Sequence, residues 1–184
     1  MLSPEHRNTL LDLARRTVAA AACGDGLPTL RNPDGPLREK GAVFVTLRSR
    51  GQLRGCIGHN EAREELWESV RDKAAAAAER DHRFPHVRPE ELPDLGIELS
   101  VLSPMTPLRP EEIVVGVHGL YVTKGGVGGL LLPQVAVEWG WDRTEFLRRT
   151  FEKAGLPHPD PEARILGFTA ERFGEETPRC GSVG

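Results

Sequence analysis

Side chains able to do chemistry are concentrated in Leu53-Arg54-Gly55-Cys56-Ile57-Gly58, with His59 directly after. A cysteine attacks as the thiolate, a form favoured by nearby positive charge and by the amides of a helix start. Arg54 supplies such a charge, and a helix expected to be capped by Asn60 would supply the amides. His59 enters as a candidate base, because a Cys-His pair becomes a mechanism once the two side chains reach hydrogen-bond distance. Gly55 and Gly58, lacking side chains, permit close backbone approach and unusual dihedrals. Two arrangements stay open. On a continuous strand Arg54 and Cys56 share a face, whereas a chain that turns at Gly55 separates them. A free cysteine in a hairpin is also a good small hydrophobe, so plain core is the competing reading.

Other candidates are more dispersed. Glu98 and Ser100 fall on one face of an alternating segment, where Glu98 could act as general acid or base and Ser100 could position a substrate; a solvent-facing edge is the alternative. Asp81 and Arg83 follow an alanine-rich helix and either stabilise its exit or wall a binding cleft. The chain has no HExxH motif and no paired CxxC, so no metal site is expected. No residue pattern names a cofactor. Lys124-Gly125-Gly126-Val127-Gly128-Gly129 is glycine-rich without the order of a phosphate loop, and reads as a flexible β connection or lid.

The elements that must position these groups follow from periodicity. Ser3, Pro4 and Glu5 form a helix start, Leu10, Ala14, Val18 and Ala21 recur at helical spacing, and Gly24-Asp25-Gly26 stops the helix. Residues 24–40 read as a long connection. Val43 to Leu47 and Leu53 to Ile57 form a predicted hairpin, followed by a helix with Leu66, Trp67, Val70, Ala74, Ala77 and Ala78 on its apolar face. Ile97, Leu99 and Val101 mark a strand. Ile113 to Val117 and Leu120 to Thr123 read as a second hairpin turning at His118-Gly119. Asp142 and Glu145 have capping-box spacing, Trp141 and Phe146 the spacing of a hydrophobic staple, and Gly155 is a natural stop. Ile165 to Phe168 is expected to be the final strand.

The fold class is therefore α+β, one domain over residues 1–176 with a loose tail at 177–184 that contains Cys180. Lys and Arg total 24 against 27 Asp and Glu, a net charge of -3, which gives no general attraction to nucleic acid or anionic lipid. Arg48, Arg50 and Arg54 form a small basic group around the first hairpin that could receive a carboxylate or phosphate, and is a weak nucleic-acid signal without exposed aromatics among them. Three cysteines with no framework spacing read as reduced thiols, and no apolar run approaches membrane length, so a cytoplasmic setting is expected.

The assembled blocks resemble the AMMECR domain family, the protein A component of AmmeMemoRadiSam gene groups. They are Leu53 to Gly58, Ala77-Ala78 with Asp81-His82-Arg83-Phe84, Glu91-Leu92, Glu98 to Leu102, Gly119-Leu120, Leu131 to Ala136 and Lys153 to Leu156, all in order over residues 40–173. The resemblance implies an α+β fold of a larger and a smaller subdomain with a cleft between them. It also implies a Memo-like protein and a radical S-adenosylmethionine enzyme as associates; that context and the cysteine-bearing turn together give, as the leading function, an enzyme or accessory component acting on a small anionic intermediate. Many relatives place a cysteine where this chain has Phe151. Candidate catalytic residues are Cys56 and Glu98; candidate substrate-binding residues are Arg54, Gly55, Gly58, His59, Asp81, Arg83 and Ser100. A noncatalytic adaptor is the competing function.

Overall fold

The computed structural model describes residues 1–175, so the expected tail and Cys180 lie outside the described residues. The chain is α+β, with helices packed against two sheets, and divides into two compact units. Among the described residues the larger comprises Met1–Val101 together with residues 171–175, and the smaller comprises Leu102–Ala170.

In the larger unit, α1 (Pro4–Cys23) starts where the sequence says it should: Ser3 accepts the His6 amide at 3.2 Å, and Pro4 occupies the first turn. Leu10, Leu13, Ala14, Thr17, Val18 and Ala21 are buried, the stripe of an amphipathic helix. The long connection contains one 3-10 turn, Gly35–Arg38. Next come β1 (Ala42–Ser49), β2 (Gln52–Gly58), α2 (Leu66–Glu79), a 3-10 turn at Pro89–Asp94, β3 (Leu95–Leu102) and, after the second unit, the strand Ala170–Gly174, called β8 below. The sheet order is β2-β1-β3-β8, leaving β2 on an edge. Val43, Val45 and Leu47 of β1 join Ile97 and Leu99 of β3 in a core with the buried faces of α1 and α2.

Two expectations about this unit are corrected. Asn60 does not cap α2; the helix begins after Glu65, whose side chain makes no capping bond. Backbone pairing sets the start instead, through Leu66 N to Glu39 O at 2.8 Å and Gly41 N to Glu64 O at 3.1 Å. The chain also does not end its strands at Phe168, because β8 follows at once. Its alternating pattern, with Glu171 and Phe173 half-buried and Arg172 exposed, carries too few strong apolar residues to stand out.

The smaller unit holds β4 (Thr106–Pro107), β5 (Gly119–Lys124), β6 (Val127–Leu131), α3 (Pro133–Glu138), α4 (Arg143–Ala154) and β7 (Arg164–Phe168), with sheet order β4-β7-β5-β6. Asp142 caps α4 by accepting the Glu145 amide at 2.8 Å, Trp141 and Phe146 pack in one cluster, and Gly155 closes the helix in the left-handed conformation. Phe146 and Phe151 are the largest fully buried side chains of this core. Here the expected hairpin is displaced by one element. Residues 113–117 form no strand, with a turn at 115–117, and β5 pairs with β6 across Gly125-Gly126, both at positive φ, as a two-residue hairpin requires. The glycine-rich segment is thus a hairpin tip and the strand after it. Gly129 pairs with Val122 in that strand, and its lack of a side chain lets α4 approach, since a Cβ there would sit 2.4 Å from the Ala154 nitrogen. The short helix α3 had no periodicity long enough to announce it.

Candidate functional site

Cys56 lies on the edge strand β2, half-buried, with its Sγ 3.3 Å from Thr46 Oγ1 of β1. The strand register puts it there. Ser49 opposes Gln52 and Arg48 opposes Leu53, but Leu47 opposes Gly55 and Thr46 opposes Cys56, which leaves Arg54 as the extra residue of a β-bulge. A bulge breaks alternation, so neither of the two arrangements open in the sequence applies unmodified: the strand continues through Gly55, yet Arg54 is re-aimed.

Arg54 points into its own unit. Nε and Nη2 donate to Glu91 Oε1 and Oε2 at 2.7 and 2.9 Å, while Nη1 and Nη2 donate to the carbonyls of Pro85 and His86 at 3.0 and 3.3 Å. Its side chain is only 12% exposed. The bidentate guanidinium, helped by the Arg88 amide, holds the Glu91 carboxyl below its ordinary range despite partial burial. Arg54 therefore ties β2 to the turn before β3, with most of its donors used inside the fold.

The groups around Cys56 come from the exit of α2. An edge strand presents unpaired N–H and C=O groups, and here Asp81 and Arg83 cover those of Cys56. Asp81 Oδ2 accepts the Cys56 amide at 2.8 Å, and Arg83 Nη2 donates to the Cys56 carbonyl at 3.2 Å. The two clamp residues are themselves joined, Arg83 Nε to Asp81 Oδ1 at 2.9 Å and Nη2 to Oδ2 at 2.7 Å. Asp81 is buried, and its carboxyl is held far below the usual carboxylate range by the Arg83 hydrogen bonds and the Cys56 amide, which outweigh desolvation. Arg83 is half exposed and lies within electrostatic reach of the thiol.

Gly55 and Gly58 serve close approach. A Cβ on Gly55 would fall 2.4 Å from the Ala77 carbonyl of α2, and one on Gly58 would fall 2.3 Å from the Phe44 ring. Neither has positive φ, so unusual dihedrals are not their purpose. The alanine run makes the same contact from the helix side: Ala74 to Ala78 are all buried, and small side chains let α2 sit close on the sheet.

The remaining candidates lie apart. Alternation puts Phe44, Thr46 and Cys56 on the sheet face opposite the helices, with Glu98 and Ser100 on that same face of β3. β1 stands between β2 and β3, so about 9–10 Å separates the backbones carrying Cys56 and Glu98. Glu98 pairs with Arg172 at 2.5 Å, and Ser100 is 1% exposed. His59 lies just past β2, its amide donating to the Val43 carbonyl at 3.2 Å. Burial and Lys73 push its imidazole below the ordinary pKa, Glu64 opposes them, and Nε2 is buried without a hydrogen-bond partner among the described residues. The helix whose amides would have stabilised a thiolate starts at Leu66, remote in sequence from Cys56. Among the described residues no group of three or more His, Cys, Asp or Glu is placed to hold a metal ion, and no helix is long and apolar enough to cross a membrane.

Thr46 is the site residue that sequence reasoning did not single out. The available signal was a lone hydroxyl inside Val43-Phe44-Val45-Thr46-Leu47. Phe151 is 1% exposed in the second core. The smaller unit also exposes Val114, Val117, Val137 and Trp139, the last 70% exposed and stacked on Trp141 at 6.0 Å.

Known proteins agree with this architecture. The AMMECR1 family model matches residues 11–173. A protein from Methanothermobacter thermautotrophicus is 45% identical, the match covering 95% of this chain and 97% of its own. One from Thermococcus gammatolerans is 52% identical over 78% and 77% of the two chains. The crystal structure of the uncharacterized protein PH0010 from Pyrococcus horikoshii superposes with a TM-score of 0.86 at 42% identity, covering 93% of this chain and 92% of that one. The Leu53 to Gly58 strand, the Asp81-Arg83 clamp and the Glu91 anchor all fall inside the matched region, and this chain belongs to the AMMECR1 family.

Proposed function

We propose that this chain handles a small anionic intermediate at Cys56, as a cytoplasmic enzyme or accessory component in a pathway shared with a Memo-like protein and a radical S-adenosylmethionine enzyme. The observation that carries the reading is the clamp: both polar groups of the Cys56 peptide are held by one Asp81-Arg83 pair, which fixes a half-buried thiol beside a guanidinium. In covering the edge-strand backbone, the pair also sets a charged guanidinium within electrostatic reach of the thiol. Arg83 is the cation for the incoming anion, because Nε and Nη2 are engaged within the clamp while Nη1 has no partner among the described residues. A carboxylate or phosphate received at Nη1 brings the rest of the ligand to the thiol, with Thr46 as the hydroxyl that hydrogen-bonds Sγ. The pathway partners rest on the family resemblance.

The test is untargeted metabolite capture, comparing wild type with folded Cys56→Ser and Arg83→Gln variants. The expected result is an anionic metabolite, free or bound to Cys56, that wild type retains and both variants lose. Equal retention by all three proteins would remove the site from the function.

The adaptor reading has its own observation, the exposed apolar group of Val114, Val117, Val137 and Trp139. In that reading Val137→Glu with Trp139→Ala abolishes co-purification with a Memo-like or radical-enzyme partner, while Cys56→Ser leaves it intact.

A further inference from the structure

A second site lies at the tip of the first hairpin, built from residues that the Cys56 clamp does not use. A cavity of about 90 Å³ is bounded by Arg48, Arg50 and Asp94, by Glu98 and Glu175, and by three glycines, Gly51, Gly96 and Gly174. Its charges do not balance. Asp94 pairs with Arg50 at 3.1 Å, Glu98 pairs with Arg172, and Glu175 is taken by Arg15 and by the Ile97 amide at 3.0 Å. Every carboxylate in the wall thus has its own arginine. Among the described residues Arg48 has no carboxylate partner: its hydrogen bond runs from Nη1 to the Gly51 carbonyl at 3.5 Å, the outer limit for such a bond. The wall itself carries Arg48 and Arg50 against three carboxylates; with Arg15 and Arg172, which lie outside the wall, each of those carboxylates is paired and the positive charge left over among the described residues is that of Arg48, a half-buried guanidinium with five donors.

Half-buried arginines ordinarily find an anionic or carbonyl partner for most of their donors, as Arg15 and Arg54 do in this unit. We infer that Arg48 anchors a small monoanion in this cavity, of the carboxylate class. The single unbalanced charge matches a monoanion. The three carboxylates in the wall disfavour a phosphate dianion, and the volume admits a group of a few heavy atoms such as a short-chain acid or the carboxylate end of a longer molecule. Three side-chain-free walls leave the backbone open to that group.

The glycines also supply the measurement. Acetate is titrated into the ¹⁵N-labelled full chain at constant ionic strength, and the amides of Gly51, Gly96 and Gly174 are followed, with inorganic phosphate as competitor class and Arg143→Gln as a control from the other unit. The expected result is saturable movement of those three amides, an affinity at least about tenfold weaker in Arg48→Gln, and unchanged binding in Arg143→Gln. Linear, unsaturable shifts in wild type overturn the site without recourse to any variant. Equal binding by Arg48→Gln overturns the anchor, and tighter binding of phosphate than of acetate overturns the carboxylate assignment. Cys56→Ser is expected to titrate like wild type, so this site stands or falls separately from the proposed thiol function.

Discussion

Thr46 Oγ1 and Cys56 Sγ are 3.3 Å apart because one extra residue, Arg54, is accommodated in β2. Without that bulge the two-residue turn at Arg50-Gly51 would set Cys56 opposite Val45, among the core residues that face the helices. One residue of slip therefore decides whether the thiol is core material or is presented on the other face of the sheet.

The Asp81 clamp predicts a specific acid limb. The Asp81 carboxyl is depressed in the folded state, so its stabilisation is complete above the unfolded value of about 3.9 and is lost as pH falls toward the folded value. Asp81→Asn should cost about 2–3 kcal/mol at pH 7, the range for leaving a partner of a buried, charge-assisted network unmatched, discounted because Arg83 is half exposed. The gap between wild type and variant should narrow from pH 4 downward. Urea unfolding at pH 7, 4 and 2.5 checks this, and a pH-independent gap would mean that the charge of Asp81 is irrelevant.

Gly55 should tolerate no side chain. Its Cβ would meet the Ala77 carbonyl at 2.4 Å, and that obstacle is backbone, which cannot rotate away. Gly55→Ala is expected to destabilise by about 3 kcal/mol as α2 is pushed off the sheet, at the upper end of ordinary overpacking. Gly96→Ala, where a Cβ meets nothing within 4 Å, is the matched control in the same sheet. Similar thermal midpoints for the two variants would contradict the close approach.

Arg54 and Glu91 should behave as one unit. Removing the carboxylate leaves a guanidinium that is 12% exposed with two carbonyls and no counter-charge, so Glu91→Gln should cost about 1–3 kcal/mol. Arg54→Lys keeps the charge but loses the two-pronged geometry and should cost a comparable amount. A double-mutant cycle gives the coupling, and additive effects would show the pair to be incidental.

His59 predicts a second pH dependence, at milder acidity. Its folded pKa lies below the unfolded value of about 6.5, so it contributes nothing above that pH, and stability is lost as pH falls through it because the unfolded chain binds the proton more readily. Wild type should lose stability between pH 7 and pH 5, and His59→Gln should flatten that slope. Denaturant midpoints at pH 7.0, 6.0 and 5.0 suffice, and an unchanged slope in the variant would assign the effect elsewhere.

Local chemistry alone determined much of this protein. The caps at Ser3 and Asp142, the stop at Gly155, the apolar stripes of α1 and α4 and the strands through Val43 and Ile97 depend on interactions within a few residues, so the sequence displays them. The α2 start, α3 and β8 were not legible, because backbone partners distant in sequence or short segments without periodicity define them, and the local β5-β6 hairpin was hidden because its second strand opens on Val127-Gly128-Gly129, poor in β formers. At the candidate site the sequence identified Cys56, Arg54, Asp81 and Arg83 as residues to examine. Only the tertiary structure decided their parts: the bulge turned Arg54 inward to Glu91, and the chain leaving α2 brought Asp81 and Arg83 onto the unpaired edge of Cys56. An edge strand's open hydrogen bonds can be satisfied by any segment that reaches them, and which segment does so is a property of the whole fold.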